Sequence, residues 1–262
     1  MAVEYERVNY HGHCNYCRHA RGTAREYVLE AVRQRLVRMG FTDHLPFPDD
    51  RFGNRMPYAE QAQYLQEITE LKEEFADRLE LLRGFEGEYV RDNRQYYEEL
   101  LSLEQCEYLI LGQHHYETAE GDWFCIYGLD NTEQYVDYSR NVVEAMRTGY
   151  FRYAAHPDVI FLNDFPWDRN CDEACDIIID GAVKYGFPLE FNANGLRRER
   201  QIYADGERYP YPHRRFWDKV KNTGIRVYVG SDCHDPEHVY DEYVVRSYEI
   251  LADMGIPVCT EL

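Results

Sequence analysis

Between Asn9 and His19 the chain reads Asn-Tyr-His-Gly-His-Cys-Asn-Tyr-Cys-Arg-His, a stretch holding three histidines and two cysteines. His11 and His13 stand two apart, so on an extended strand both imidazoles leave the same face. Two imidazoles on one face suit a borderline divalent ion. His19 falls past the strand end, in the following loop. Similar chemistry recurs down the chain: His44 after Thr42-Asp43, Glu86 after Gly84-Phe85, His114 and His115 after Gly112-Gln113, His156 after Ala154-Ala155, and Asp232 and His234 after Gly230-Ser231. Each of these groups closes an apolar run. Taken singly, a histidine is more often a satisfied core or surface side chain, but the repeated placement points to one composite metal site.

The apolar runs alternate with helical patterns. Strands are predicted near Glu6–Val8, Leu36–Phe41, Leu79–Glu86, Tyr108–Leu111, Phe151–Ala155, Pro188–Asn192 and Ile225–Val229, with a short terminal one at Ile256–Cys259. Thr23-Ala24-Arg25-Glu26 has the form of a capping box and opens a helix with Tyr27, Val28, Ala31 and Val32 as its stripe. Further helices are expected at about Tyr58–Asp77, Arg94–Leu103, Thr132–Thr148, Asp172–Lys184, Phe216–Lys221 and Tyr243–Met254. Residues Tyr116–Asn131 read as a long aromatic loop of the kind that covers a site. Strands alternating with helices imply a parallel sheet, and closing it into a barrel gathers the strand ends on one face. No linker or low-complexity segment interrupts the pattern, so residues 1–262 are expected to form a single α/β domain.

Bulk composition narrows the partners. A net charge of −19 over 262 residues disfavours a nucleic-acid polymer or an anionic membrane, both of which call for clustered Lys and Arg. It permits a small anionic substrate, because bound divalent cations reverse the local field. There is no leader-like apolar region at the N-terminus and no run long enough to span a bilayer. A cytoplasmic protein with eight free thiols is therefore expected. The 24 tyrosines suggest only amphipathic packing.

His114 and His115 would alternate faces on a strand, so one should point inward. Glu86 is preferred to Glu88 because it follows the apolar run directly. Asp232 can cap a helix, but its spacing from His234 favours ligation. His213 and His238 are read as surface residues. Cys14-x-x-Cys17 with Cys171-x-x-x-Cys175 has the wrong spacing for a four-cysteine zinc site, and no thioredoxin-like context surrounds Cys14. His-Glu-x-x-His, a P-loop and a Gly-rich dinucleotide fingerprint are all absent.

In this order, His11-x-His13 with His19, Thr42-Asp43-His44, Gly84-Phe85-Glu86, Gly112-Gln113-His114-His115, Ala155-His156-Pro157-Asp158 and Gly230-Ser231-Asp232-Cys233-His234 resemble the successive motifs of the PHP (polymerase and histidinol phosphatase) superfamily. Cys17-x-His19 and Asn192-Ala193-Asn194-Gly195-Leu196-Arg197 are similar to its monofunctional histidinol-phosphate phosphatases. The resemblance implies a distorted (β/α)7 barrel with the active site at the C-terminal strand ends and a trinuclear centre of Zn, Fe or Mn. Carried over by position, the first ion is held by His11, His13, Glu86 and Asp232. The second shares Glu86 and adds His115 and His156, and the third takes His19, His44 and His234. Three departures stand out: Asn9 where the family has an aspartate, Gln113 and His114 in place of small or aliphatic residues, and the Tyr116–Asn131 loop.

The implied activity is hydrolysis of a phosphate monoester, L-histidinol phosphate, by hydroxide held between the first two ions. Asp158, two residues beyond His156, is the expected proton donor to the leaving alcohol, or otherwise a turn residue after Pro157. Arg197 is the expected phosphate clamp, its planar fork matching phosphate oxygens, with Arg18 and Arg198 as weaker candidates. His234 is counted among the catalytic residues as well as the ligands. Surplus carboxylates around the mouth would favour the ammonium of this substrate. The alternatives are a family phosphatase or phosphodiesterase for another small phosphorylated metabolite or nucleotide, a protein-phosphotyrosine phosphatase, or a non-catalytic metal-binding module.

Overall fold

The structure is a computed structural model and describes residues 5–103 and 106–262. Strands β1 (Val8–Asn9), β2 (Arg38–Phe41), β3 (Glu80–Gly87) and β4 (Tyr108–Leu111) pair in sequence order, all parallel. Between them run α1 (Ala24–Arg33), α2 (Gln61–Glu74) and α3 (Arg94–Ser102). The Thr23–Glu26 capping box is present, each side chain bonding the other's backbone. The chain then forms a hairpin of β5 (His115–Glu117) and β6 (Trp123–Cys125), followed by α4 (Glu133–Thr148) and α5 (Arg169–Tyr185). Next come β7 (Leu189–Asn192), the short α6 (Ala193–Arg197), a second hairpin of β8 (Gln201–Tyr203) and β9 (Gly206–Arg208), α7 (Arg214–Val220), β10 (Val227–Gly230) and α8 (Glu242–Met254).

Parallel bridges continue the sheet past β4, from Leu111 to Ala154 and from Ala154 to Leu189 on β7, which pairs in parallel with β10. The bridge between Gly12 and Cys233 brings the exit of β10 back to that of β1. There the His13 amide donates to Cys233 O at 3.0 Å and the Asp232 amide to His11 O at 2.9 Å. The pairing therefore runs round seven positions, in the curled parallel α/β architecture expected. Its distortion sits at the fifth position, where Ala154 alone makes the bridges. The expected strand Phe151–Ala155 is cut short because His156 turns the chain at φ +31°. The Tyr116–Asn131 segment is also more ordered than expected, since its aromatic Trp123-Phe124-Cys125 pairs with His115–Glu117.

The main core lies between the sheet and the surrounding helices, and a smaller one fills the barrel. Tyr10, Tyr108, Tyr153 and Tyr228 occupy that interior. The Tyr108 and Tyr153 hydroxyls donate to Tyr10 O at 2.8 and 3.3 Å, so each buried phenol is satisfied. Gly40 makes this possible, since a Cβ there would overlap the Tyr108 hydroxyl. These tyrosines form the floor beneath the strand ends. Among the described residues no helix is long and apolar enough to cross a membrane.

Candidate metal centre

Side chains from five of the seven sheet positions converge above the tyrosine floor. His11 and His13 follow β1, His44 follows β2, Glu86 lies in β3, His156 follows the Ala154 bridge, and Asp232 and His234 follow β10. All but His234 are buried. Their donor atoms form overlapping groups, each spanning no more than 4.8 Å: His11 with His13 and Asp232, His11 with Glu86 and His156, His13 with His44 and Glu86, and His19 with His44 and His234. Eight of the nine expected ligands thus come together.

The hydrogen-bond pattern decides what these atoms can accept. His19 Nδ1 lies 2.8 Å from Cys17 O, and His234 Nδ1 lies 3.1 Å from Asp232 O. A carbonyl oxygen only accepts, so each Nδ1 carries the proton and each Nε2 is left with a bare lone pair. Those two Nε2 atoms face one another at 2.9 Å. Likewise His11 Nδ1 donates to Glu190 at 2.9 Å, and its Nε2 faces His13 Nε2 at 3.2 Å. The opposed lone pairs of His19 and His234 call for a shared cation. His13 Nδ1 and His156 Nδ1 are moreover buried without a hydrogen-bond partner, which is costly unless an ion or ordered water meets them.

Electrostatics points the same way. Burial opposes charge on His11, but Glu190, Asp232 and Glu86 outweigh it and push its pKa well above the usual range. Burial alone would raise Glu86 and Asp232; the surrounding histidines, His11 foremost, hold both well below the carboxylate range. Burial lowers His13 well below normal, helped by His234 and His44, and lowers His44 to about 4. A divalent ion would take the place of the proton that these acids hold on His11, leaving neutral imidazoles beside ionised carboxylates, which is what such ions ligate. The donor set therefore fits Zn, Fe or Mn, with nitrogen and oxygen ligands and no ligating thiolate.

The backbone is strained at the same place. His156 and Asp232 take φ of +31° and +50°, a region that costs a non-glycine residue on the order of 1–3 kcal/mol. Two glycines make room for the acids: a Cβ at Gly112 would overlap Glu86 Oε1, and one at Gly230 would overlap Glu190 Oε2.

Four sequence expectations need correction. The first concerns His115. The neighbouring His114 lies with Nε2 3.8 Å from Glu86 Oε1 and Nδ1 3.5 Å from Glu88, and its ring centre is 5.0 Å from that of His156. His115 instead stacks on Phe52, outside the ion cluster. Strand β4 ends at Leu111, so strand alternation does not carry the register through to these residues. The second concerns Asp158, which is fully buried and accepts from the His213 amide at 2.6 Å and Trp217 Nε1 at 3.0 Å. Burial pushes its pKa up to about 6, and it is not among the residues that line the cavity. The third concerns Arg197, which is consumed by Asp241, Ser231 and the His238 carbonyl. The fourth concerns His213, which is buried and paired with Asp205. His238 is half-buried rather than fully surface-exposed.

The ion cluster opens into a cavity of about 270 Å³ walled by Tyr127, Val159, Asn194, Arg198 and Tyr211. Arg198, just past the end of α6 and next to the favoured Arg197, is the cation on that wall. Its guanidinium lies 5.7 Å from the centre of the Tyr211 ring. Arg18 pairs with Glu60 away from the cavity. Glu86 and Asp232 are the acids lining the cavity, so the expected surplus carboxylates are elsewhere. His234, with Nε2 aimed at His19, is placed as an ion donor rather than a proton carrier.

Several contributors escaped the sequence reading. Glu190, fully buried in β7, orients His11 and accepts from the His156 amide at 3.3 Å. An acid inside the apolar run Leu189–Phe191 was the available signal. Glu88, held bidentately by Arg55 at 2.8 and 2.9 Å, faces His114 as Glu190 faces His11. Asn9 Oδ1 accepts from the Ser231 and His11 amides at 3.0 and 3.3 Å, tying the exits of β10 and β1. Asp43 accepts from the Cys14 and Cys17 amides and so sets the turn that carries His19. The Cys17 sulfur lies in donor range of His13 and His234, but burial and then Asp43 hold its thiol up at about 12. All eight cysteines are free thiols.

A model of the PHP domain matches residues 9–194. The chain is 31% identical to a protein of Deinococcus radiodurans named "Probable histidinol-phosphatase", over 87% of this chain and 86% of that one. Among solved structures it is similar to a histidinol-phosphatase candidate from Listeria monocytogenes, with TM-score 0.75, 18% identity and coverage of 91% and 99% of the two chains. It is also similar to the histidinol phosphate phosphatase of Lactococcus lactis solved with zinc, L-histidinol and phosphate, with TM-score 0.70, 17% identity and coverage of 97% and 95%.

Proposed function

The chain belongs to the PHP domain family, and on that premise we propose that it is a metal-dependent phosphoric monoester hydrolase whose substrate is L-histidinol phosphate. The observation that carries this reading is the opposed pair of bare Nε2 lone pairs on His19 and His234, beside the buried cluster of His11, His13, His44, Glu86, His156 and Asp232. Three divalent ions are assigned to the donors: one to His11, His13, Glu86 and Asp232, one to Glu86, His114 and His156, and one to His19, His44 and His234. Bound there, divalent cations supply Lewis acidity toward phosphate oxygens and lower the pKa of water.

The chain's own residues do the rest. Glu190 and Glu88 fix the proton-bearing nitrogens of His11 and His114, so that the opposite nitrogens face the cluster. Arg198 receives the non-bridging phosphate oxygens that turn away from the ligands, its planar fork matching them. Asn194 and Tyr211 complete the polar wall around that phosphate.

One observation favours a second reading. The cavity walls carry no free carboxylate for an ammonium group, which leaves room for a different small phosphorylated metabolite. Phosphate release from L-histidinol phosphate, amino-alcohol phosphates and nucleotides separates the two. The first reading expects L-histidinol phosphate to lead the panel and its turnover to vanish on chelation and return with added metal. Turnover led by another ester favours the second, and no metal-dependent turnover of any ester contradicts both.

A further inference from the structure

Another cavity, of about 320 Å³, lies among α6, the β8–β9 hairpin, α7 and α8 and shares no lining residue with the ion-lined one. The two are back to back: Asn194 and Tyr211 wall the ion cavity, whereas Leu196 and Pro212 wall this one. Its floor is apolar, made by the buried Phe191, Leu196, Trp217 and Met254 with Ile250 beside them.

The rim is charged in the opposite sense to the chain. Against 48 acidic residues the chain carries 29 Lys and Arg, yet Arg200, Arg208 and Arg214 meet here with a single acid, Glu207. Arg208 is consumed by Asp205 and by the carbonyls of Tyr209 and Pro210. The other two keep donors. Arg214 bonds Asp218 at 2.9 and 3.0 Å through Nε alone. Arg200 spends Nη2 on Glu207 O and turns Nε toward the Glu207 carboxylate at 3.4 Å. A guanidinium has five N–H groups, so both terminal nitrogens of Arg214 and Nη1 of Arg200 have donors to give. Both pairs are exposed at each partner, and exposed pairs are weak enough to yield to an incoming anion.

An apolar hollow with a few polar groups placed on it has the build of a small-molecule site. The floor takes hydrocarbon out of water, and the rim selects the sign of the charge. We propose that this cavity binds a small amphipathic anion, a monocarboxylate with an apolar body about the size of octanoate. The tail lies against Leu196, Trp217 and Ile250, and the carboxylate meets Arg200 and Arg214. The site is separate from the ion centre and stands whichever ester that centre hydrolyses.

Calorimetric titration of the metal-loaded protein with octanoate, octan-1-ol and octylamine tests this, with inorganic phosphate present so that the carboxylate does not compete for the ions. Octanoate should bind at one site, about tenfold or more tightly than either the alcohol or the amine, the worth of a charge-assisted hydrogen bond. The double variant Arg200→Ala, Arg214→Ala changes two exposed side chains; it should lose about that factor for octanoate and leave the alcohol unchanged. Ile250→Trp, which fills the hollow from its half-buried edge on α8, should abolish binding of all three while far-UV circular dichroism stays that of the parent. No saturable octanoate binding up to about 10 mM, equal affinity for the acid and the alcohol, or undiminished octanoate binding in either variant, which would place the ligand at the ions or elsewhere on the surface, overturns it.

Discussion

Glu190→Gln is the perturbation that most closely tests how the centre is built. The substitution keeps the volume, and its carbonyl oxygen can still serve Asn192 Nδ2 and the His156 amide at the Oε1 position, now 2.6 and 3.3 Å away. The amide nitrogen then occupies the Oε2 position, 2.9 Å from His11 Nδ1, and leaves only the 3.1 Å contact to the Oε1 position. The charged, two-oxygen acceptor that holds the His11 proton on Nδ1 becomes a single neutral one beside a donor, which loosens the ring and its tautomer at the ion site. Loss of an outer partner of this kind weakens metal binding by about 10–100-fold, or ~1.4–2.8 kcal/mol. In the metal-free protein Glu190, with Asp232 and Glu86, also supports the charged form of His11, so the substitution lowers Tm in chelator as well. The ion-dependent increment of Tm should shrink on top of that by roughly 3–10 °C. Competition titration with a zinc-binding fluorophore and melts with and without chelator read both quantities. Ion affinity within about twofold of the parent, or an equal fall in Tm with and without chelator, would refute the reasoning.

The other predictions divide neighbouring or competing residues. Arg198→Ala should lower kcat/KM for a phosphate monoester by about 10–100-fold, the worth of a charge-assisted hydrogen bond, with stability nearly unchanged. Arg197→Ala should instead cost about 3–5 kcal/mol of stability through the orphaned Asp241; urea melts and initial rates check both, and the reverse pattern would restore Arg197 as the clamp. Asp158→Asn keeps an acceptor for Trp217 and the His213 amide, so kcat should stay within about threefold. A far larger fall at full metal content would return Asp158 to the chemistry. His213 carries a pH signature: burial lowers it from 6.5 to about 4 although Asp205 pulls it up, with Arg208 and Arg215 also facing it. The unfolded chain then binds the extra proton first, so stability is full above pH 6.5 and falls as pH drops toward 4, by at most ~3 kcal/mol. His213→Gln should flatten that slope in urea melts across pH, the comparison cancelling the opposite contribution of Asp158; parallel slopes would contradict the assignment.

What the sequence made legible was the set of strand ends. His11, His13, His44, Glu86, His156, Asp232 and His234 each close an apolar run, and a parallel barrel can only bring such positions together. What it hid depended on single-residue geometry. His114 and His115 are separated by the point where regular pairing stops, so alternation no longer says which one turns inward. Arg197 and Arg198 are adjacent near the end of a five-residue helix, where one step rotates a side chain by about 100°. Asp158 and its partners His213 and Trp217 lie more than fifty residues apart, a contact no local pattern announces. Glu190 was visible as an acid in an apolar strand but looked like an exception to burial rather than the orienting partner of His11. The tyrosines had no local meaning at all, because four of them fill a barrel that exists only once its strands close.

Metal content per chain, measured after gel filtration for the unmodified protein, His114→Ala and His115→Ala, tests the central claim most directly. A three-ion centre with His114 as a donor predicts about three ions bound by the unmodified chain, loss of about one in His114→Ala, and full retention in His115→Ala. Fewer than about two ions in the unmodified chain, or loss from His115→Ala with retention in His114→Ala, would contradict it.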